Sequence, residues 1–83
     1  SRADTYFRTN QFEKAIEDYS RILEIDVKNL PAYHNRGMAY MSLKEEDKAV
    51  TDFNTFLQLG GYSWSDAEQI RIWIKEMGHE PQR

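Results

Sequence analysis

Residues 33–40 read Tyr-His-Asn-Arg-Gly-Met-Ala-Tyr, which places a glycine in the middle of a helical pattern. Glycine inside a helix costs about 1 kcal/mol relative to alanine, so Gly37 predicts a neighbour too close for a side chain. The apolar pattern continues beyond it to Leu43, which argues against a glycine that only ends a helix. We therefore expect a close helix crossing at Gly37.

The surrounding sequence predicts an all-α chain. Apolar residues recur at three- and four-residue spacing, as in helices that bury one face, and no stretch alternates with the period of a strand. Pro31 suits a first helical turn, the polar run 44–47 suits a turn, and the glycine pair 60–61 suits a left-handed helix stop. Ser65 and Glu68 form a capping box before the last helix. The predicted helices span residues 3–8, 12–25, 31–43, 48–59 and 65–77.

Composition argues against several classes of function. The 83 residues carry a formal net charge of −3 with both signs interspersed, which is not the basic surface of a nucleic-acid-binding protein. No apolar run reaches the roughly 20 residues of a membrane span, and the chain has no cysteine for a disulfide, a thiolate nucleophile or a zinc site. His34 and His79 are too few for a metal site, and phosphate-loop, nucleophile and dinucleotide motifs do not occur. We expect no catalytic residue, metal, cofactor, nucleic acid or membrane partner; the compartment stays open, with the cytoplasm favoured.

The chain repeats itself at an offset of 34 residues. The aligned pairs are Ala3 with Gly37, Tyr6 with Tyr40, Lys14 with Lys48, Ala15 with Ala49, Asp18 with Asp52, and, along the apolar face, Ile16 with Val50, Tyr19 with Phe53, Ile22 with Phe56, Leu23 with Leu57 and Ile25 with Leu59. A helical hairpin of this length cannot bury its apolar face alone, so such units stack into arrays.

This pattern resembles the tetratricopeptide repeat (TPR) family, whose unit has a bulky, a small and an aromatic residue in its first helix, then alanine and an aromatic residue in its second. The matching residues are Ala3, Tyr6, Ala15 and Tyr19 in one unit, and Tyr33, Gly37, Tyr40, Ala49 and Phe53 in the next. The resemblance implies a TPR-type antiparallel helix-turn-helix array in which Gly37 faces Ala49, so Gly37→Leu should be among the most damaging changes, through overpacking. Two departures are Arg36 in place of a leucine, and Val27 and Gly61 in place of a closing proline.

The resemblance divides the chain into two repeats and a terminal helix. The expected units are residues 1–27, with a shortened first helix, residues 28–61, a capping helix at 62–78, and a tail at 79–83. Arg71 occupies the place of the small residue in the capping helix, which is acceptable only where nothing packs. Fewer than three repeats is below the usual minimum, so we expect either a fragment of a longer array or self-association.

In the TPR family, the first helices of successive units line a concave groove that binds a peptide or a partner helix. Carried over by register, the lining residues are Asp4, Phe7, Arg8, His34, Asn35, Met38, Met41, Ser42, Glu68, Gln69, Ile72 and Lys75. The Asn35 amide could bond one peptide unit of a ligand, and a tolerated surface polar residue is the equal alternative. Met38, Met41 and Ile72 could form an adaptable apolar patch; core packing is the alternative, which we favour for Met41.

A carboxylate clamp, by which chaperone-binding TPR proteins hold a C-terminus, is not expected here. Asp4, Ser65 and Gln69 stand where that clamp has an asparagine, a lysine and an arginine, so two cations are missing and Asp4 would repel a carboxylate. We expect a non-enzymatic protein-interaction or scaffold module whose groove binds a peptide or partner helix. Two alternatives stay open: a homo-oligomer formed through the cap or the N-terminal face around Tyr6 and Phe7, and an accessory domain of a larger protein.

Overall fold

The computed structural model of the chain describes residues 2–60, 63–65 and 67–77. Over these residues it contains five helices: α1 (Arg2–Arg8), α2 (Phe12–Ile25), α3 (Leu30–Ser42), α4 (Glu46–Gln58) and α5 (Ala67–Glu76). Each helix packs mainly against its neighbours in sequence, so α1–α2 and α3–α4 are helical hairpins that stack in series. The predicted all-α repeat architecture is confirmed. None of the described helices is long and apolar enough to cross a membrane.

The turns within the two hairpins have the same backbone geometry. Asn10 follows α1 with φ of 63°, and Lys44, its repeat equivalent, follows α3 with φ of 61°. In each turn, the N–H of the next residue donates to a tyrosine carbonyl, that of Tyr6 at 2.8 Å and that of Tyr40 at 2.9 Å. The sequence repeat therefore extends to the backbone conformation.

One helix start differs from its predicted position. α4 begins at Glu46, inside the run predicted as a turn, because Glu46 and Asp47 interact favourably with the free N–H groups of a first helical turn. α5 is described from Ala67 onwards, and Asp66 lies outside the described residues, so the capping box of Ser65 and Glu68 stays a prediction. The predicted stop after α4 is confirmed at Gly60, whose φ of 107° is a conformation that favours glycine.

The start of α3 is defined by a side-chain cap and a proline. Asn29 Oδ1 accepts a hydrogen bond of 3.0 Å from the backbone N–H three residues on. Pro31 lies in the first turn, as predicted, where its missing N–H leaves no hydrogen bond unmade. The predicted stops at Gly61 and Gly78 and the predicted tail at 79–83 lie outside the described residues.

The buried side chains form two clusters. The first cluster consists of Ala3, Ala15, Tyr19, Leu23 and Ala32. The second cluster comes from α4 and α5 and consists of Ala49, Val50, Phe53, Phe56, Leu57, Ala67, Ile70 and Ile74. Tyr33 of α3 packs against both clusters and joins the two hairpins. The predicted apolar face ends earlier than expected: Ile25 is 90% exposed and Leu59 36%, because each lies at the C-terminal end of its helix, beyond the cover of neighbouring helices.

Gly37 is buried where α3 crosses α4. A Cβ built at Gly37 would lie 2.6 Å from Cε1 and 2.8 Å from Cδ1 of Phe53, well inside van der Waals contact. The predicted lack of room is confirmed, but the predicted partner, Ala49, is wrong. The three nearest atoms all belong to the Phe53 ring, which extends further from α4 than an alanine methyl group does.

Arg36 connects three helices through its guanidinium group. Its Nε and Nη2 donate to Asp52 Oδ2 and Oδ1 at 2.8 and 2.7 Å, and its Nη1 donates to Ser20 Oγ at 3.1 Å. The Asp52 side chain is only 4% exposed, so this bidentate bond satisfies a buried carboxylate. The hydrogen bond to Asp52 raises the pKa of Arg36 above its ordinary value.

The same ion pair occurs one repeat earlier, between Arg2 and Asp18. Arg2 Nε and Nη2 donate to the two Asp18 oxygens at 2.8 and 3.0 Å, on a more exposed surface. The hydrogen bond from Arg2 lowers the pKa of Asp18 below its ordinary value. An arginine at the predicted leucine position is therefore half of a repeated ion pair.

Candidate functional site

The structure places seven of the twelve predicted groove residues in two clefts. The α1–α3 cleft, about 310 Å³ in volume, is lined by Asp4, Phe7, Arg8, Tyr19 and Asn35. The α5 cleft, about 630 Å³ in volume, is lined by Trp64, Ser65, Ala67, Glu68, Arg71, Ile72 and Lys75. Within the described part of the chain, the other predicted lining residues line neither cleft: His34, Met38, Met41, Ser42 and Gln69. Asp4, Arg8 and Asn35, from two helices that the register related, share the first cleft, whereas the register did not indicate that α5 has a cleft of its own.

Tyr19 forms the floor of the α1–α3 cleft. Its hydroxyl, which comes from α2, donates a hydrogen bond of 2.7 Å to Asp4 Oδ1. The residue is 3% exposed. Burial raises the pKa of the Tyr19 hydroxyl, and the bond to Asp4 raises it further, against a smaller lowering by Asn35. Tyr19 therefore remains protonated and holds the Asp4 carboxylate in place.

His34 and Asn35 link the α1–α3 cleft to the second core cluster. His34 Nδ1 lies 3.2 Å from Asn35 Oδ1, and because a carbonyl oxygen only accepts, the imidazole donates in this contact. The His34 ring also packs against Phe56, with 5.5 Å between ring centroids. Both residues are half-buried, so the Asn35 amide is oriented by packed neighbours.

The α1–α3 cleft contains one carboxylate and one guanidinium. Asp4 and Arg8 lie one helical turn apart on α1, and Arg8 is exposed. The groups present can both accept and donate hydrogen bonds. Among the described residues, no three His, Asp or Glu side chains cluster so as to hold a metal ion.

The α5 cleft combines exposed apolar side chains with charged ones. Trp64 is 36% exposed and packs edge-on against Phe56, with 5.1 Å between ring centroids. Ile72 is 43% exposed. Met38 and Met41 are instead half-buried and pack against the second core cluster, as the core-packing alternative required. The exposed apolar patch therefore pairs Ile72 with Trp64.

The N-terminal face does not present the exposed aromatic residues on which the oligomer alternative depended. Tyr6 and Phe7 are half-buried, and Phe7 packs edge-on against Phe12 with 5.5 Å between centroids. The large apolar side chains that are exposed near this hairpin are Ile25, the last residue of α2, at 90%, and Val27, two residues later, at 62%. Helical periodicity did not indicate these two residues.

Comparison with known proteins agrees with the geometry. Family profiles described as "TPR repeat" and "Tetratricopeptide repeat" match residues 3–44 and 30–59. The chain is 39% identical over 51 residues to "Tetratricopeptide repeat protein 36" of Caenorhabditis elegans, covering 61% of this chain and 28% of that protein. It is 39% identical over 49 residues to "Outer envelope protein 61" of Arabidopsis thaliana, covering 59% of this chain and 9% of that protein. No solved structure matches the chain at a significant level.

The match spans less than a third of the length of either relative. Over this chain, however, the first profile alone covers half of the residues, and the structure repeats its turns and ion pairs at the period of the family. The chain is therefore a member of the tetratricopeptide repeat family, whose repeats generally mediate protein–protein interaction and are generally not catalytic.

Proposed function

We propose that the chain is a protein-interaction module whose α1–α3 cleft binds a peptide segment or a helix of a partner protein. The main support is that Asp4, Arg8 and Asn35, from two different helices, converge on one cleft with Tyr19 as its floor. Interaction surfaces of this kind need a few polar groups in fixed positions on a rigid scaffold. Stacked helical hairpins supply such a scaffold.

The α1–α3 cleft offers both kinds of partner that a peptide backbone requires. Asn35 carries an amide with a donor and an acceptor, Arg8 can donate to carbonyl oxygens, and Asp4 can accept from N–H groups. Because Tyr19 bonds Asp4 and His34 contacts Asn35 in the free chain, these groups lose little conformational freedom on binding.

The charges of the cleft favour an internal segment of the partner over its C-terminus. Asp4 would repel a terminal carboxylate, and among the described residues that line the cleft Arg8 is the one cation. The cleft is small for a complete ligand site, about 310 Å³, so contacts on the neighbouring surface are also needed. By register, we extend the proposed groove to His34, Met38, Ser42 and Gln69; Glu68 and Ile72, which the register also predicted, line the α5 cleft instead.

The proposal can be tested with peptides selected from a random library on the wild-type chain. Their affinity should fall about tenfold or more in the double variant His34→Glu with Asn35→Ala, because the variant removes the Asn35 amide and the imidazole that contacts it. Thr51→Glu, on the exposed outer face of α4, is the matched control and should bind as the wild type does. Far-ultraviolet circular dichroism should show equal helicity in all three proteins. Full affinity in the folded double variant would reject the α1–α3 cleft as the binding site.

A further inference from the structure

The α5 cleft corresponds, at the 34-residue repeat offset, to the surface of α3 on which α4 packs. Apart from Ser65, its lining residues are equivalent to Leu30, Tyr33, His34, Gly37, Met38 and Met41. All six of these α3 residues pack against α4 or against the second core cluster. His34 contacts Phe56 of α4, and Gly37 contacts Phe53 of α4. The other four, Leu30, Tyr33, Met38 and Met41, pack against the second cluster. By the same register, the α5 cleft corresponds to a docking site for one more helix, and we call this docking site the seat.

Two residues of this seat differ in chemistry from their equivalents on α3. Arg71 replaces the glycine that allows the close approach of Phe53, and Lys75 replaces Met41. Both cations are exposed and lie one helical turn apart, and the lining also contains the carboxylate of Glu68. Ile72 and Trp64, 43% and 36% exposed, supply the apolar contact area. A helix that fits this seat therefore has an apolar face and an acidic residue where α4 has a phenyl ring.

We propose that the α5 cleft is a second interaction surface, separate from the α1–α3 cleft, and that it binds an amphipathic helix of a partner protein. The apolar face of that helix lies on Trp64 and Ile72, and an acidic side chain lies opposite Arg71, at the place where α4 presents Phe53 to Gly37. Recognition of this kind combines a hydrophobic groove with a charge that excludes unsuitable helices.

A peptide made from α4 is a suitable probe, because α4 already fits the equivalent seat. We would use residues 45–59 with Phe53→Glu, blocked at both ends, and measure its binding to the full chain by calorimetry. Arg71→Glu should weaken binding about tenfold or more, and the same peptide with Phe53→Lys should recover it on that variant. Lys28→Glu, an exposed charge reversal in the turn after α2, should leave the affinity unchanged.

Three results would overturn the proposal: no binding of the acidic peptide, equal affinity for the wild type and Arg71→Glu, or no recovery with the exchanged charges. Arg71 is exposed, so its variant should fold, and Lys75→Glu gives a second test at the same seat.

Sedimentation of the chain alone should show a single mass at all concentrations. A concentration-dependent dimer that Arg71→Glu abolishes would instead make a second copy of this chain the occupant. Asn35→Ala, which removes an amide of the α1–α3 cleft, should leave the acidic peptide bound, so the two proposals can fail independently.

Discussion

Gly37→Ala tests the closest helix crossing in the fold, because two opposing effects meet there. Alanine favours a helix over glycine by about 1 kcal/mol. Its Cβ would lie 2.6 Å from Phe53 Cε1, however, and overpacking of a core costs about 1–3 kcal/mol. The Phe53 ring has little space to move, since it is 0% exposed and its centroid lies 5.7 Å from that of Trp73. We expect Gly37→Ala to lower the free energy of unfolding by about 1 kcal/mol, and Gly37→Leu to lower it further.

Phe53→Leu separates the two effects. Leucine lacks Cε1 and Cζ, which are two of the three atoms nearest to the added Cβ. Phe53→Leu alone should destabilise the chain, because it leaves a cavity in the second core cluster. In the Phe53→Leu background, Gly37→Ala should be neutral or stabilising, because the helix preference remains and the clash is relieved. The coupling energy between the two positions should then be about 1–2 kcal/mol.

The four proteins of this cycle can be compared by urea unfolding followed by circular dichroism. Equal m values would show that the native and unfolded states expose similar surface in all four, so that midpoints report stability. Additive effects, within about 0.5 kcal/mol, would refute the argument that the Phe53 ring is what excludes a side chain at Gly37.

Three further predictions can be checked by the same unfolding assay. Arg36→Leu should lower the free energy of unfolding by up to about 3–5 kcal/mol, because it leaves the buried Asp52 carboxylate without its cation. The double variant with Asp52→Leu should regain most of that stability. Equal losses in the single and the double variant would contradict this argument. The lowered pKa of Asp18 means that its pair with Arg2 stabilises the fold above the ordinary carboxyl pKa of 3.8 and ceases to do so as pH falls through the depressed value. Asp18→Asn should therefore reduce the acid sensitivity of the chain, and an unchanged pH profile would show that the pair contributes nothing. Ile25→Ser, at a side chain that is 90% exposed, should change stability by less than about 0.5 kcal/mol, and a larger loss would reveal burial against a partner copy.

Periodicity and repeat alignment were sufficient to predict the helices and their pairing. The three- and four-residue spacing sets which face of each helix is buried, and the 34-residue offset sets which residues occupy equivalent positions. Neither specifies how far a side chain reaches, which is why Gly37 was correctly predicted to be crowded but assigned to Ala49 and not to the longer Phe53. Periodicity also does not indicate where a neighbouring helix ends, so the exposure of Ile25 was missed.

The ion pair of Arg36 was missed although its signal was present in the alignment. The offset that pairs Asp18 with Asp52 also pairs Arg2 with Arg36, so an arginine and an aspartate recur together in both units. A charged residue at an apolar position is tolerated when its partner is close in space, and that partner lies on another helix, where local pattern does not reveal it.

The candidate site was predictable to the extent that register alone determines it. Asp4, Arg8 and Asn35 were assigned to one groove by equivalence of their positions, and the structure places them around one cleft. Tyr19 was regarded only as a repeat residue, because its role depends on a side chain reaching through from the helix behind. The α5 cleft depends on the exposure of Trp64 and on which positions remain uncovered, and these are properties of packing that the sequence alone does not specify.

The most direct test of the central claim is the amide chemical-shift map of the isotope-labelled chain, titrated with a peptide selected on the wild type. If the α1–α3 cleft binds partner proteins, the largest shifts should occur at Asp4, Tyr19 and Asn35, and they should saturate with the calorimetric affinity. Shifts confined to the outer surfaces of α2 and α4, at residues such as Arg21 and Thr51, would contradict the account and place the interaction on the opposite side of the array.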